Sequence, residues 1–308
     1  MTTAVQTLTA FAVAVPSVLA PVAAPDLGMP AARVGILVSV FFTSAIFSGL
    51  LSSAISRRYG PVATLRLCVV LIGVALVVGS GAHIVMVICY AFLAGIAHGV
   101  VNPVSSLVLA QAVPPQQRSL MFSIKQTGVP MGSAVAGLFL PPLLLVMTWQ
   151  QTMAFLSLAS MALLFALRPF YAVFDRQRNP REAIVFSGMR EFFVEIAGDP
   201  RLLQLVLAAT AFAFVQPAVT TFLVIYLHFE FGYSLLAAGA VFSAMSLASV
   251  FGRIFWGWLA DRTAKPRRVL AALGFLMGGC CLAGGLFAVQ WPAWAITLVA
   301  MLWGGQRS

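Results

Sequence analysis

Apolar runs of about 20 residues follow one another along almost the whole of this 308-residue chain. An α-helix rises about 1.5 Å per residue, so each run is long enough to cross a hydrocarbon layer about 30 Å thick. Hydrophobic residues make up 61% of the chain and charged residues 8%, whereas about a quarter of the residues in a soluble domain are charged. A water-soluble surface cannot be built from this composition, and we expect an all-α polytopic membrane protein.

The runs predict ten membrane helices, six before a polar linker and four after it. Their expected positions are about 5–24, 34–56, 65–79, 84–113, 121–147 and 153–167, and then 203–227, 235–260, 269–289 and 291–303. The predicted domains are a six-helix bundle over 1–170, a cytoplasmic linker over 171–202 and a partial bundle over 203–308. Apolar residues at helical spacing near 189–196 predict either a short amphipathic helix on the membrane surface or a solvated linker.

Basic residues gather on one side of this predicted topology. With a cytoplasmic N-terminus, that side carries Arg57, Arg58, Arg66, Arg118, the linker and residues 262–268, and the opposite loops carry only Arg33. The positive-inside rule therefore predicts a multi-pass protein of the bacterial inner membrane with its N-terminus in the cytoplasm. The net charge of +10 is explained by this orientation, and we expect no nucleic-acid partner.

The chain contains an internal repeat. A shift of 204 positions places Asp26 and Gly28 on Glu230 and Gly232, Gly35 on Gly239, Ile55 on Leu259, and Arg58 on Arg262. Two copies in the same orientation, joined by a long linker, are typical of transporters built from parallel halves.

Two stretches resemble the major facilitator superfamily of secondary transporters. The sharper is Gly-Arg-Ile-Phe-Trp-Gly-Trp-Leu-Ala-Asp-Arg at 252–262, and the looser is Lys-Gln-Thr-Gly-Val-Pro-Met-Gly at 125–132. The resemblance covers essentially the whole chain and implies transport by alternating access of two helical halves. It also implies a gating motif of Gly257, Asp261, Arg262, Arg57, Arg58 and Gly60, and helix bending at Gly128, Pro130 and Gly132.

The chain departs from the family pattern in three ways. In the first gating loop Ser53 replaces the usual Gly and Arg57 the usual acid, and Ala91 stands where the family often has an arginine linked to proton coupling. The family has twelve helices and this sequence stops near the tenth, which predicts a C-terminally truncated member. The alternative to a transporter is a non-transporting remnant or a structural membrane protein.

Two basic residues lie inside predicted helices. Arg253 lies eight residues before Asp261 and Lys125 seven after Arg118, which places them about 12 Å and about 10 Å from their helix ends. Either they bind an organic anion, such as a monocarboxylate, or they reach the interface and only anchor their helices. By resemblance their helices face each other across the cavity, and an arginine of the eighth helix holds the anion in monocarboxylate and oxalate transporters.

Neutral polar residues complete the expected substrate site: Gln126, His98, Asn102, Gln216 and Tyr226. Every acid is expected in a loop or at a helix end, so a proton would travel with the substrate or on His98. The three histidines do not cluster and no nucleotide-binding loop is present, so we expect no enzyme, metal or cofactor. The expected partners are a small-molecule substrate and the lipid bilayer, for a monomer. Small-residue pairs at 95/99, 128/132 and 274/278 predict close helix packing.

Overall fold

The computed structural model describes residues 1–114, 117–170, 174–175, 178–181, 189–263, 266–286 and 291–306. These residues form helices α1 Thr2–Asp26, α2 Val34–Tyr59, α3 Pro61–Gly79, α4 Ile84–Ala112, α5 Arg118–Gln126, α6 Gly128–Leu143, α7 Trp149–Ala166, α8 Met189–Gly198, α9 Pro200–Phe229, α10 Leu235–Thr263, α11 Pro266–Gly285 and α12 Ala293–Gly305. Short 3₁₀ segments lie at Ala31–Arg33 and Arg168–Phe170. Within the described ranges, seven helices are long and apolar enough to cross a membrane.

Helix α1 is the centre of the larger part of the bundle. Over its most apolar 18-residue window, 78% of the residues are buried, and Val5, Val15 and Val18 are fully inaccessible. It packs chiefly against α6 and α4, while α2 and α3 pack on α4, and α7 packs on α3. Helix α10 joins this body mainly through α6 and carries α12 on another side, and α9 contacts α1 and α10.

The predicted fifth helix, about 121–147, is two helices in the structure. Helix α5 ends at Gln126 and α6 begins at Gly128, with Thr127 between them in a right-handed helical backbone conformation. Pro130 has no backbone N–H, so the helical hydrogen bond that residue 130 would donate to the carbonyl of Gln126 cannot form. The helical hydrogen-bond pattern around Thr127 therefore lacks one backbone hydrogen bond.

Small residues permit close packing at two of the three predicted pairs. A Cβ added at Gly128 would lie 2.8 Å from the backbone oxygen of Thr3, and one at Gly132 would lie 2.6 Å from the backbone nitrogen of Phe11. Gly95 and Gly99 meet the backbone of α2 in the same way. The prediction is wrong for the pair at 274 and 278, because a Cβ at Gly278 meets nothing within 4 Å and one at Gly274 only reaches Phe212 at 3.9 Å.

The two copies of the 204-residue repeat also have similar backbone geometry. Helix α2 ends at Tyr59 and α10 at Thr263, which is the same offset. Gly28 and Gly232, the matched glycines before these helices, have φ of 65° and 67°, in the left-handed region that favours glycine. The two copies therefore turn into their second helix with the same backbone conformation.

Candidate functional site

A polar cavity of about 110 Å3 lies where four parts of the bundle meet. It is lined by Gln6 and Thr9 of α1, His98, Val101 and Asn102 of α4, Gln126 and Val129 at the junction of α5 and α6, and Arg253 of α10. Four predicted site residues are thus brought together: Arg253, Gln126, His98 and Asn102. The described lining residues include no acidic side chain.

Gln126 connects three helices at this cavity. Its backbone oxygen, which Pro130 leaves without a helical donor, accepts a hydrogen bond of 2.8 Å from Nη1 of Arg253. Its side-chain Oε1 accepts one of 2.8 Å from Nε2 of Gln6. The proline therefore exposes a carbonyl of α5 that holds the arginine of α10 beside the cavity.

Lys125 is next to this site but directed away from it. The side chain is 1% exposed, and Nζ donates to Asn102 O at 3.1 Å, Asn102 Oδ1 at 2.6 Å and Ser106 Oγ at 2.8 Å. The expected convergence of Lys125 with Arg253 is not found, because the rotation of α5 about its axis turns Lys125 toward α4. Lys125 instead positions the Asn102 side chain.

His98 lies against an aromatic wall. Its ring centroid is 5.3 Å from that of Phe41 and 6.4 Å from that of Phe42. Within the described part of the chain, His98 Nδ1 is buried without a hydrogen-bond partner, and so is Gln6 Oε1. The cavity thus offers two unsatisfied polar atoms to a ligand, each costly to leave unpaired.

Gln6 and Thr9 are site residues that the sequence reasoning missed. Both are buried, and Thr9 Oγ1 donates to the backbone oxygen of Gln6 at 3.1 Å. The available signal was a glutamine inside an apolar helix, the same signal that identified Gln126.

Gln216 and Tyr226, on α9, do not line the cavity. The Tyr226 ring packs on Phe231 with centroids 5.3 Å apart, and the backbone oxygen of Gln216 accepts a hydrogen bond from Thr220 Oγ1 at 2.9 Å. The structure therefore separates both residues from the site in which they were expected.

The predicted gating motif is described mainly in its first copy. Gly60 has φ 95° between α2 and α3, Arg57 is exposed, and Arg58 lies 5.6 Å from the Tyr59 ring centroid. In the second copy Arg262 lies 5.2 Å from the Trp258 ring centroid. The surroundings of Gly257 and the side-chain placement of Asp261 lie outside the described part.

A buried carboxylate lies at the first gating loop, and it comes from the linker, in agreement with the expectation that every acid lies in a loop or at a helix end. Asp175 is 5% exposed. Its Oδ1 accepts from the backbone nitrogen of Val62 and its Oδ2 from that of Ala63, both at 2.8 Å. It is therefore an N-terminal cap of α3 supplied by a residue more than a hundred positions away.

Comparison with known proteins agrees with this helical membrane architecture. A family model described as Major Facilitator Superfamily matches residues 2–306. An uncharacterized MFS-type transporter of Mycobacterium tuberculosis (strain CDC 1551 / Oshkosh) is 26% identical over 223 residues, which cover 70% of this chain and 48% of the relative. The chain therefore spans about half the length of that relative.

Two relatives with named substrates match over 302 residues. The gallate transporter of Pseudomonas putida is 26% identical, with 88% of this chain and 66% of the relative covered. The hexuronate transporter of Bacillus subtilis (strain 168) is 24% identical, with 92% and 71% covered.

Solved structures show the fold. A D-xylose-proton symporter superposes with a TM-score of 0.71 at 17% identity, covering 99% of this chain and 78% of that one. A peptide transporter POT in complex with sulfate gives 0.71 at 13% identity, covering 99% and 79%. The expected all-α polytopic fold is confirmed, and the chain belongs to the Major Facilitator Superfamily.

Proposed function

We propose that this protein is a secondary transporter that moves a small organic anion carrying a carboxylate. The observation that carries the proposal is Arg253, a cation that lines a cavity between α1, α4, α5 and α10 whose described lining has no acidic side chain. A charge inside a membrane bundle is costly and is retained mainly for a ligand or pathway. An anion in the cavity would compensate that charge.

Guanidinium suits a carboxylate better than a spherical anion, because its planar N–H groups match the two oxygens. Arg253 is oriented by the Gln126 carbonyl, so part of the entropy cost of fixing this long side chain is met before the ligand binds. The named substrates of two relatives, gallate and hexuronate, both carry a carboxylate, which agrees with this assignment.

The neutral groups of the cavity suit a substrate that also carries hydroxyls. Gln6 Oε1 and His98 Nδ1 are available as acceptors, with the histidine in the appropriate tautomer. Lys125 donates a hydrogen bond to Oδ1 of Asn102. The NH₂ group of the Asn102 side chain can therefore donate to a substrate. Gallate and hexuronate both carry several hydroxyls, so each supplies the donors and acceptors that such a cavity would recognise.

The same proposal covers the whole chain. Residues 1–170 form one rocking half, 171–202 the linker and 203–308 part of the second half, with α6 and α10 in contact between them. A proton would travel with the substrate or on His98, or the substrate would be exchanged. The concentration of arginine near Gly60 and in the linker favours a cytoplasmic N-terminus in a bacterial inner membrane, with the protein acting as a monomer.

Uptake into proteoliposomes tests the proposal. We expect wild-type protein to take up labelled gallate or a hexuronate, and Arg253→Gln to lower uptake at subsaturating substrate by about tenfold or more, since a hydrogen bond to a charged group contributes roughly 1.5–3 kcal/mol. Arg201→Gln is the matched control, because Arg201 is an exposed arginine of α9 that does not line the cavity, and this variant should leave uptake unchanged.

Equal uptake by wild type and Arg253→Gln would remove the anion-site role of Arg253. Absence of uptake of both anions by the wild type would contradict the transport proposal and favour the alternative, a non-transporting membrane protein.

A further inference from the structure

The two gating loops differ at the position of their acid. Under the 204-residue shift, Asp261 of the second loop corresponds to Arg57 of the first, so the first loop has a base where its repeat has a carboxylate. Yet a carboxylate does lie at this loop, because Asp175 reaches it from the segment after α7. The first gating loop therefore has an acidic side chain next to it in the structure, although its own sequence has none at the position of Asp261.

Asp175 is held closely by the start of α3. The hydrogen bonds to the backbone nitrogens of Val62 and Ala63, 2.8 Å each, occupy one carboxylate oxygen apiece. Gly60 makes room for them, since a Cβ added there would lie 2.5 Å from Oδ1 and 2.7 Å from Cβ of Asp175. The glycine therefore serves two purposes at this position, its positive φ and the space for the carboxylate.

The neighbouring linker residues dock on the same loop. The backbone nitrogen of Asn179 donates to the backbone oxygen of Arg57 at 2.8 Å, and Asn179 Oδ1 accepts from the backbone nitrogen of Arg181 at 3.2 Å. Phe174, just before Asp175, packs against the hydrophobic core. We name Phe174, Asp175 and residues 178–181 the linker strap.

The charges around the strap are complementary. The first turn of a helix presents unpaired N–H groups and the positive end of its dipole, which favours a carboxylate there. Burial raises the pKa of Asp175 above its usual value, and this outweighs the two backbone hydrogen bonds and the nearby Arg178 and Arg66, which lower it. The carboxyl thus lies in a partly desolvated site that basic groups of both α3 and the linker adjoin.

We propose that the linker strap supplies, from a distant part of the same chain, the acid that is missing from the first gating loop. Asp175 is the residue that positions the start of α3. The strap holds α2 through Asn179 and α3 through Asp175, so this part of the linker moves with those two helices. The inference concerns this contact alone and does not depend on the identity of a transported substrate.

Hydrogen exchange of the full-length protein in detergent or nanodiscs tests the strap. We expect the amides of Val62 and Ala63 to exchange about tenfold faster in Asp175→Ala, because both lose their acceptor. Asp175→Asn keeps one carbonyl oxygen and should protect only one of the two amides. Trypsin cleavage after Arg178 and Arg181 should accelerate by about the same factor in Asp175→Ala as the strap is released.

Asp199 provides a matched control. Its Oδ1 caps α9 through the backbone nitrogen of Arg201 at 2.8 Å, the same chemistry made between residues two positions apart. Asp199→Ala should leave both the exchange of Val62 and Ala63 and the cleavage at the strap unchanged. Unaltered exchange in Asp175→Ala, or wild-type cleavage at Arg178 already as fast as in that variant, would overturn the proposal, and so would an equal effect of Asp199→Ala.

Discussion

Lys125 and Arg253 lie in different surroundings, although the sequence analysis expects the same role for both. Lys125 donates to three oxygen atoms of α4 and is 1% exposed. Arg253 lines the cavity and donates a hydrogen bond to the backbone oxygen of Gln126. A lysine with its three donors matched by three oxygens is already satisfied. We therefore assign Lys125 to holding α5 on α4. Arg253 is assigned to the ligand because it is the cation among the described lining residues of the cavity.

This difference predicts the behaviour of Lys125→Met. The methionine fills a similar volume but leaves the oxygens of Asn102 and Ser106 without their donor, which should lower the free energy of unfolding by about 1–3 kcal/mol. Thermal unfolding in detergent measures the loss. Ile124→Met, at the exposed neighbouring position of α5, should be close to neutral, and equal unfolding temperatures for the two variants would contradict the assignment.

The sequence identifies site residues by type better than by direction. Arg253, Gln126, His98 and Asn102 could be predicted because polar side chains inside apolar helices need partners or ligands. Gln6 carries the same signal, although the sequence analysis does not select it. The direction of Lys125 could not be predicted, since a rotation of α5 by a fraction of a turn decides whether it meets the cavity or α4.

At the scale of helices, the junction of α5 and α6 links a sequence motif to the site. Glycine and proline near residue 130 predict an irregular helix, and the structure has its break there. What no local pattern predicts is that the Gln126 carbonyl, left without a helical donor by Pro130, meets an arginine 127 positions later in the chain. That contact depends on how α10 packs against α6.

The packing of α6 on α10 requires a glycine at 137. A Cβ added to Gly137 would lie 2.6 Å from the backbone oxygen of Gly239 and 2.6 Å from Ser243 Oγ, and Ser243 itself donates to the Ala134 oxygen at 2.8 Å. We expect Gly137→Val to cost about 1–3 kcal/mol of stability through overpacking, observed as a lower unfolding temperature.

Gly278→Val is the control for this substitution. A Cβ at Gly278 meets nothing within 4 Å, and valine has a somewhat better helix propensity than glycine, so this variant should unfold at or above the wild-type temperature. A Gly137→Val protein as stable as Gly278→Val would show that the close approach of α6 and α10 is not required.

At the scale of the whole molecule, the repeat is the part that sequence could predict most completely. Matched glycines, a matched helix end and a common offset all appear in both copies. The linker strap could not be predicted, because Asp175 and Val62 are 113 positions apart and no periodic pattern connects them. Long-range contacts of this kind are decided by tertiary packing.

Cysteine labelling tests the proposed orientation in the membrane. In a background without the natural cysteines, Ala82→Cys and Arg181→Cys place single thiols at exposed positions of the α3–α4 turn and of the linker. With a cytoplasmic N-terminus, an impermeant maleimide should label position 82 in intact bacteria, and position 181 only after permeabilisation. The reverse pattern would contradict the proposed orientation.

The central claim is that Arg253 binds the carboxylate of a ligand, and calorimetric titration with gallate and with its neutral methyl ester tests it most directly. We predict that the wild type and Arg201→Gln bind gallate at least about tenfold more tightly than the ester, and that Arg253→Gln loses this preference. Equal affinity of the wild type for acid and ester, or a preference that survives in Arg253→Gln, would contradict the account.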